Sequence, residues 1–593
     1  MEKSSAGPRK AWVGGERSRK RIYSLAAVLL LILAGGAYLL LQQNQDGGQQ
    51  VYKGHGGTFK NTLAEIDTPD PSVIYKDGYY YMTFTHNGTD IMVMKSRTLD
   101  FRQAERKVVW YPPAETAYSA NLWAPELQYI RGQWYIYFAA DDGHNENHRM
   151  YVLQGDSGDP LGGYTFKGQV TDNTNKWAID GLAMEVDDAL YFVWSGWEGD
   201  MNAAQNTYIA PMSDPLTISG PRVLLSEPLL AWEQAGGPPY INEGQSILYH
   251  DGRVFIVYSG AGSWTPYYSL GLLALKPGSD PLETASWTKA ELPLLTMDEA
   301  AGVYGPGHNS FTVSPDGSEQ WIIYHATAGA EDGWNNRKAR AQRVSWDKDG
   351  LPVFGKPQPL SAALEVPAGM GVFQAEHAVQ NGHQLEFPLL PSAVDSDTPL
   401  LVHYVNPGEA PVEAAVSVNG GQPMSLKLLP SAEGQTGYAY LLLPFAAGEN
   451  TVSLELAAGT SAKLSAIEIP RYEAEAQALM GEAAAEDHPY ASGGGAVSMG
   501  TRGASLRFGN LRVPRAGTYT AIVAVMNASP DAKLEVSVNG GRKAGYPLKT
   551  QGRNEAAFLE LELTLQSGAN EIILFDSQGS FGIDYMDIWQ KSE

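Results

Sequence analysis

The sequence predicts an all-β protein: a five-bladed β-propeller followed by two jelly-roll-like β-sandwiches, preceded by an N-terminal transmembrane or signal helix. Three observations on its 593 residues carry that reading. A hairpin pattern recurs five times between residues 70 and 326, the composition changes after residue 368, and the remaining tail contains a repeat of its own. Hydrophobic residues make up 43% and charged residues 18%, with 64 Gly and 36 Pro, which suits a turn-rich β protein and excludes wholesale disorder, collagen and coiled coil. A formal net charge of −24 lacks the basic footprint of a nucleic-acid binder. With no cysteine, disulfides, thiol nucleophiles and zinc–thiolate sites are all excluded.

Residues 1–21 carry Lys3, Arg9, Lys10, Arg17, Arg19, Lys20 and Arg21 against Glu2 and Glu16. The uncharged apolar run 22–41 follows directly and has the ~20 residues needed to cross a bilayer as a helix. The basic flank stays cytoplasmic, so the rest of the chain is expected outside the cell. The run reads as a retained membrane anchor or a signal-peptide core. Ala34-Gly35-Gly36-Ala37 offers a cleavage patch, but apolar residues continue to Leu41, which favours the anchor. Residues 42–57 read as a linker.

Residues 58–368 read as the propeller. Its repeats are DPSVIYKDGYYYMTFT from Asp70, APELQYIRGQWYIYFAA from Ala124, DGLAMEVDDALYFVWSG from Asp180, EGQSILYHDGRVFIVYSG from Glu243 and HNSFTVSPDGSEQWIIYHA from His308. Each is an apolar strand, a turn and an aromatic strand. The turn dipeptides Asp77-Gly78, Asp251-Gly252 and Asp316-Gly317 favour two-residue hairpin loops with positive φ. The heads lie 54, 56, 63 and 65 residues apart, room for one four-stranded blade each.

Three heads, Asp70, Asp180 and Glu243, are acidic at positions equivalent to within one residue. Radial symmetry would bring them around one cavity, where crowded carboxylates shift one another's pKa values; that is costly in a scaffold and useful in an acid–base enzyme. Taken singly, Asp70 reads as turn sequence and Glu243 as a solvated carboxylate. Acid–base catalysis needs one carboxylate to take a proton and one carboxylic acid to give one, roles that crowded carboxyl groups can divide between them.

The segments Asp70-Pro71-Ser72-Val73, Trp123-Ala124-Pro125-Glu126, Ala178-Ile179-Asp180-Gly181, Asn242-Glu243-Gly244 and Gly307-His308-Asn309-Ser310 resemble, in order, the motifs of glycoside hydrolase family 43. The resemblance implies a five-bladed propeller that cleaves arabinose- or xylose-containing plant polysaccharides with inversion. It implies Asp70 as general base, Glu243 as general acid, and Asp180 as the residue that raises the acid's pKa and orients it. Trp123 and Trp177, next to two heads, are candidate walls for a sugar; core packing is the expectation for Trp134, Trp194 and Trp264. Arg337, five residues before Gln342, looks like the family's fifth-blade arginine and is a candidate contact to sugar hydroxyls. His308 heads the fifth repeat, where the family often places a histidine holding water or a cation. One histidine does not specify a metal, so an axial cation stays open.

In the tail, VSVNGG begins at Val416 and again at Val536, and Gly448-Glu449-Asn450 is answered by Gly568-Ala569-Asn570, both at an offset of 120. FQAEHA at Phe373 and YEAEAQ at Tyr472 are offset by only 99, so the first copy (371–470) lacks about 21 residues near its start. The second copy (471–593) resembles carbohydrate-binding modules of the family 6 and family 35 type. That resemblance implies a structural Ca²⁺ held by Glu473, Glu475 and Asp584, oxygen ligands that suit calcium. Tyr490, Tyr546 and Phe581 are available aromatics for a binding loop. The first copy keeps only Glu376 of the glutamate pair and reads as a degenerate spacer.

The expected function is an inverting glycoside hydrolase, an α-L-arabinofuranosidase, with no catalytic cofactor. Its partners would be plant cell-wall polysaccharide, arabinoxylan or arabinan, and a membrane through the N-terminal helix. The location would be extracellular, on or released from a bacterial cell. A β-xylosidase, an endo-arabinanase and a non-catalytic carbohydrate-binding propeller are the alternatives.

Overall fold

The computed structural model describes residues 52–590 apart from 103, 393–394, 433, 489, 501–502 and 550–555. The basic segment 1–21, the apolar run 22–41 and most of the expected linker lie outside the described residues. Among the described residues no helix is long and apolar enough to cross a membrane, and the chain is all-β, with only short 3₁₀ turns as helix.

All five repeats form antiparallel hairpins: Ser72–Lys76 with Tyr79–Thr83, Ala120–Ile130 with Gln133–Asp141, Ala178–Val186 with Ala189–Gly196, Tyr240–His250 with Arg253–Gly260, and Tyr304–Val313 with Gln320–Thr327. The turns follow the dipeptide logic with one exception. Asp77-Gly78 and Asp251-Gly252 both have positive φ at each residue, as do Arg131-Gly132 and Asp187-Asp188. At Asp316-Gly317 only Gly317 does, because that turn is longer and is tied by Ser314 Oγ donating to Asp316 Oδ1.

Five apolar clusters hold the hairpins together, and each is shared by two consecutive repeats. Tyr81 and Val93 of the first pack with Trp134 and Phe138 of the second, while Val73 and Met82 of the first pack with Trp321 and Ile323 of the fifth. The other three clusters join second to third, third to fourth and fourth to fifth. The fifth sheet has only three strands, and its open edge is covered from the N-terminal side. There Ala339 N–H donates to Thr68 Oγ1 and Ala341 N–H to Asn61 Oδ1, while Thr58–Lys60 pairs with Ala363–Glu365. Covering an edge in this way removes a row of unpaired backbone groups.

The two halves of the tail have the same topology. In the first, the sheet ordered Val372–Gln374, Lys463–Glu468, Ser396–Val405, Gly437–Phe445 faces the sheet ordered Val379–Asn381, Gln384–Ser392, Gly448–Leu456, Val412–Val418, Met424–Leu428. Leu400, Val402 and Leu443 of one meet Val416, Val452 and Leu454 of the other in a single core. In the second half, Arg471–Glu473 and Gly582–Trp589 occupy the places of Val372–Gln374 and Lys463–Glu468. The missing 21 residues fall on Ala484–Asp487, the Ser492–Gly494 turn and Gly495–Ser498, which the first half lacks. Residues 54–57, expected as linker, are instead buried. Gly57 N–H donates to Asn510 O, Arg512 N–H to His55 O, and the Tyr472 hydroxyl to His55 O at 2.7 Å.

Candidate active site

Every hairpin opens on a residue in left-handed backbone: Asp70 (φ 57°), Ala124 (φ 44°), Asp180 (φ 54°), Gly244 (φ 58°) and His308 (φ 44°). In the last four, the pairing with the second strand slips at this point. Such bulges re-aim a side chain, and a non-glycine residue held there costs on the order of 1 kcal/mol, so recurrence at three polar side chains points to use. The fourth repeat differs in detail. The bulge residue is Gly244, and Glu243 reaches the site from the position before it.

Asp70, Asp180, Glu243 and His308 line one cavity of about 800 Å³, together with Trp123, Trp177 and Arg337. Two further large cavities among the described residues lie elsewhere and contain none of the three acids.

Asp70 is held as a carboxylate. Burial alone would lift its pKa, but Arg337 Nη1 donates to Oδ1 at 3.2 Å, His308 Nδ1 lies 3.4 Å from the same oxygen, and Thr85 Oγ1 donates to Oδ2 at 2.6 Å. Together these hold it well below the usual carboxylate range. His325 Nδ1 is 3.5 Å from Asp70 Oδ1, yet it accepts the Asp70 N–H at 3.0 Å and so carries no proton there. Burial keeps that ring neutral, its pKa well below the ordinary histidine value.

Glu243 is pushed the other way. Burial first, then the neighbouring Asp180 charge, raise it to about 8, against the opposing effects of His308 and of Tyr268, whose hydroxyl donates to Oε1 at 3.0 Å. Asp180 is raised to about 6, by burial and by Asp70, while Gly244 N–H donates to its Oδ2 at 2.9 Å. His308 overcomes the effect of burial because Asp180, Asp70 and Glu126 surround it, and it is raised to about 10. At neutral pH the cavity therefore holds an ionised Asp70 and a protonated Glu243.

Trp123 and Trp177 line the cavity as expected, each fixed from behind. Trp123 stacks on His148 at 4.0 Å; Trp177 stacks on Trp197 at 4.6 Å and donates from Nε1 to Asn145 O. Trp264 corrects the sequence expectation. Trp134 and Trp194 are buried, but Trp264 is half-buried and lines the cavity beside Trp334, which is 61% exposed and meets it edge-on. Arg337 bonds Asp70 as well as facing the cavity. Nothing local in the sequence marks Thr85, Tyr268 or Trp334 as site residues, although Thr85 closes the first repeat and Trp334 stands three residues before Arg337.

In the second tail module, Glu473, Glu475 and Asp584 converge on the Ser492–Gly494 turn. Ser492 donates its N–H to Asp584 Oδ1 at 2.8 Å and its hydroxyl to Glu473 Oε1 at 2.7 Å; a Cβ on Gly493 would stand 2.5 Å from Glu475 Oε1. Glu473 Oε2 and Glu475 Oε2 are buried without partners. Burial and mutual repulsion raise Glu475 and Asp584 to about 8, and burial raises Glu473 to about 7. As arranged, no three His, Asp or Glu side chains among the described residues form a metal cluster, but this orphaned oxygen set has the chemistry of a hard-cation site. In the first module, Gln374 takes the place of Glu473 and Glu376 is exposed. Phe581 is buried and so is no binding aromatic, whereas Tyr490 is exposed.

The cavity thus brings together carboxyl groups of opposite protonation, a cationic histidine and aromatic walls. Residues 59–352 match the glycosyl hydrolases family 43 model. The chain is 37% identical over 310 residues to the extracellular exo-α-(1→5)-L-arabinofuranosidase of Streptomyces avermitilis, covering 51% of this chain and 64% of that one. It is 34% identical over 256 residues to the enzyme of the same name from Streptomyces chartreusis, 42% of this chain and 77% of that one. Alpha-L-arabinofuranosidase 43 of Humicola insolens is 35% identical over 304 residues, 50% of this chain and 63% of the relative. Among solved structures, the α-L-arabinofuranosidase from Lactobacillus brevis is 32% identical with a TM-score of 0.49, covering 51% of this chain and 98% of its own. The chain belongs to glycosyl hydrolase family 43. It spans slightly under two thirds of the length of the Streptomyces avermitilis and Humicola insolens relatives.

Proposed function

We propose that this protein is an inverting glycoside hydrolase that releases L-arabinofuranose from arabinose-containing plant polysaccharides or their oligosaccharides. The observation that carries this is the opposed protonation of Asp70 and Glu243 in one cavity. Ionised Asp70 takes a proton from water as it attacks the anomeric carbon. Protonated Glu243 gives its proton to the glycosidic oxygen as the C–O bond breaks. Asp180 keeps Glu243 protonated, His308⁺ and Arg337 fix Asp70, and the tryptophans form the sugar's walls. The arabinose preference is supported by the names of the curated relatives.

The five hairpins and five shared clusters support a five-bladed propeller, and the paired sheets of the tail support two sandwich modules. Ca²⁺ is proposed for Glu473, Glu475 and Asp584, where it would neutralise three buried carboxylates. An extracellular location, anchored or released, is supported by the basic flank and apolar run of residues 1–41. Hydrolysis of 4-nitrophenyl α-L-arabinofuranoside against the β-D-xyloside, with the product anomer read by NMR on an arabinan oligosaccharide, tests the proposal. Faster xyloside cleavage would replace the arabinose reading, and retained configuration would overturn the inverting one.

A further inference from the structure

We infer that Tyr268 is a positioning residue that fixes which oxygen of Glu243 carries the catalytic proton. The argument rests on the hydrolase reading above and on a directional hydrogen-bond chain. His308 N–H donates to Ser259 Oγ at 2.8 Å, which leaves the Ser259 proton free to bond the Tyr268 oxygen. The Tyr268 hydroxyl proton in turn goes to Glu243 Oε1 at 3.0 Å. A carboxyl oxygen that accepts this bond is the carbonyl-like one, so the acidic proton belongs on Oε2.

The same construction stands at the base. Ala124 N–H donates to Thr85 Oγ1 at 2.8 Å, and Thr85 donates to Asp70 Oδ2. In both cases the amide heading the next repeat orients a hydroxyl, and the hydroxyl orients a carboxyl group. Only at Glu243 does a tyrosine extend the reach.

Tyr268 has no freedom to do otherwise. It is fully buried, its ring lies flat against His325 at 5.8 Å and 12°, and a Cβ on Gly307 would come within 2.1 Å of its ring carbons. Glu243 faces three other charged groups, Asp180, His308 and Asp70, and none of them bonds Oε1. As the proton leaves Oε2 for the glycosidic oxygen, which keeps the electron pair of the broken C–O bond, negative charge grows on the carboxyl group. The Tyr268 bond strengthens as it does, so its contribution is largest in the transition state.

The test compares Tyr268→Phe with wild type on two substrates. One is 4-nitrophenyl α-L-arabinofuranoside, whose nitrophenolate departs without a proton; the other is α-1,5-linked arabinobiose, whose sugar alkoxide needs one. Both are measured on the same preparation, so any loss of folded protein cancels from their ratio. The inference predicts a fall in kcat of about 10–100-fold on arabinobiose with little change on the aryl glycoside. It also predicts a basic limb of kcat/KM moved to higher pH, because a donor that favours the carboxylate has gone. Equal losses on both substrates, or no loss on arabinobiose, would overturn it. Wild-type protein that turned over neither substrate would overturn the arabinofuranosidase reading, and this inference with it.

Discussion

Replacing Asp180 by Asn should move the basic limb of the pH–rate profile to lower pH by about one unit. The substitution keeps the shape of the side chain and leaves an oxygen to accept Gly244 N–H, so the bulge at 244 survives. What disappears is a negative charge, the second cause, after burial, of the rise of Glu243 to about 8. For any two unit charges at ~5 Å and an effective dielectric of about 20, Coulomb's law gives about 3 kcal/mol, roughly two pKa units, which serves as an upper limit here. His308⁺, with Nδ1 3.8 Å from Asp180 Oδ2, already offsets part of that charge, and Asp70 and Glu126 still hold the ring protonated once Asp180 is neutral. About one unit remains, which places the limb near pH 7. The assay is kcat/KM against pH on an arabino-oligosaccharide, which reports the free enzyme's groups and needs the acid's proton. A limb that stayed in place or moved upward would refute the argument that Asp180 tunes Glu243.

Glu243→Gln and Asp70→Asn should each lower kcat by at least about 10²–10⁴-fold on an unactivated oligosaccharide; activity within a few-fold of wild type would remove the residue from the chemistry. Trp334→Ala should raise KM about 3–10-fold with kcat unchanged and Tm little changed, because the ring is largely exposed and touches the protein at Trp264 and Ser263 Oγ; calorimetry and initial rates separate the two effects. Calcium should raise the Tm of the tail module, and more at pH 8 than at pH 5. Glu473, Glu475 and Asp584 have folded pKa values of about 7, 8 and 8, above those of the unfolded chain. The metal-free fold therefore loses stability as pH rises from about 4 towards 8, while the unfolded carboxylates ionise first. Ca²⁺ at a hundred times its Kd would restore about 2.7 kcal/mol, and a calorimetric scan with and without chelator reads it.

The hairpins were legible because a period of two and left-handed turn dipeptides are local signals, written in segments such as VIYKDGYYYM. The gathering of Asp70 and Asp180 was legible for a related reason, since each sits at the head of a repeat. The offset of Glu243 from the bulge was not, because Gly244 reveals its role only through the pairing of Tyr240–His250 with Arg253–Gly260. Tyr268 lies on another strand's approach, 25 residues from its partner, and nothing local marks a tyrosine that will bond a glutamate. Trp264 was expected in the core because aromatic residues usually are, and its place in the cavity wall depends on a contact with Trp334, 70 residues away, that no local pattern marks. The tail's missing segment, by contrast, could be counted from two offsets and fell on the turn against which the proposed calcium ligands converge.

The central claim is that Glu243 is a neutral acid at the pH where Asp70 is a carboxylate. Infrared difference spectroscopy of wild type against Glu243→Gln, titrated from pH 4 to pH 10, tests it directly. A protonated carboxyl band present at pH 7, lost with a midpoint near 8 and missing from the variant, is the predicted result. A band already gone by pH 5, as for an ordinary glutamate, would contradict it.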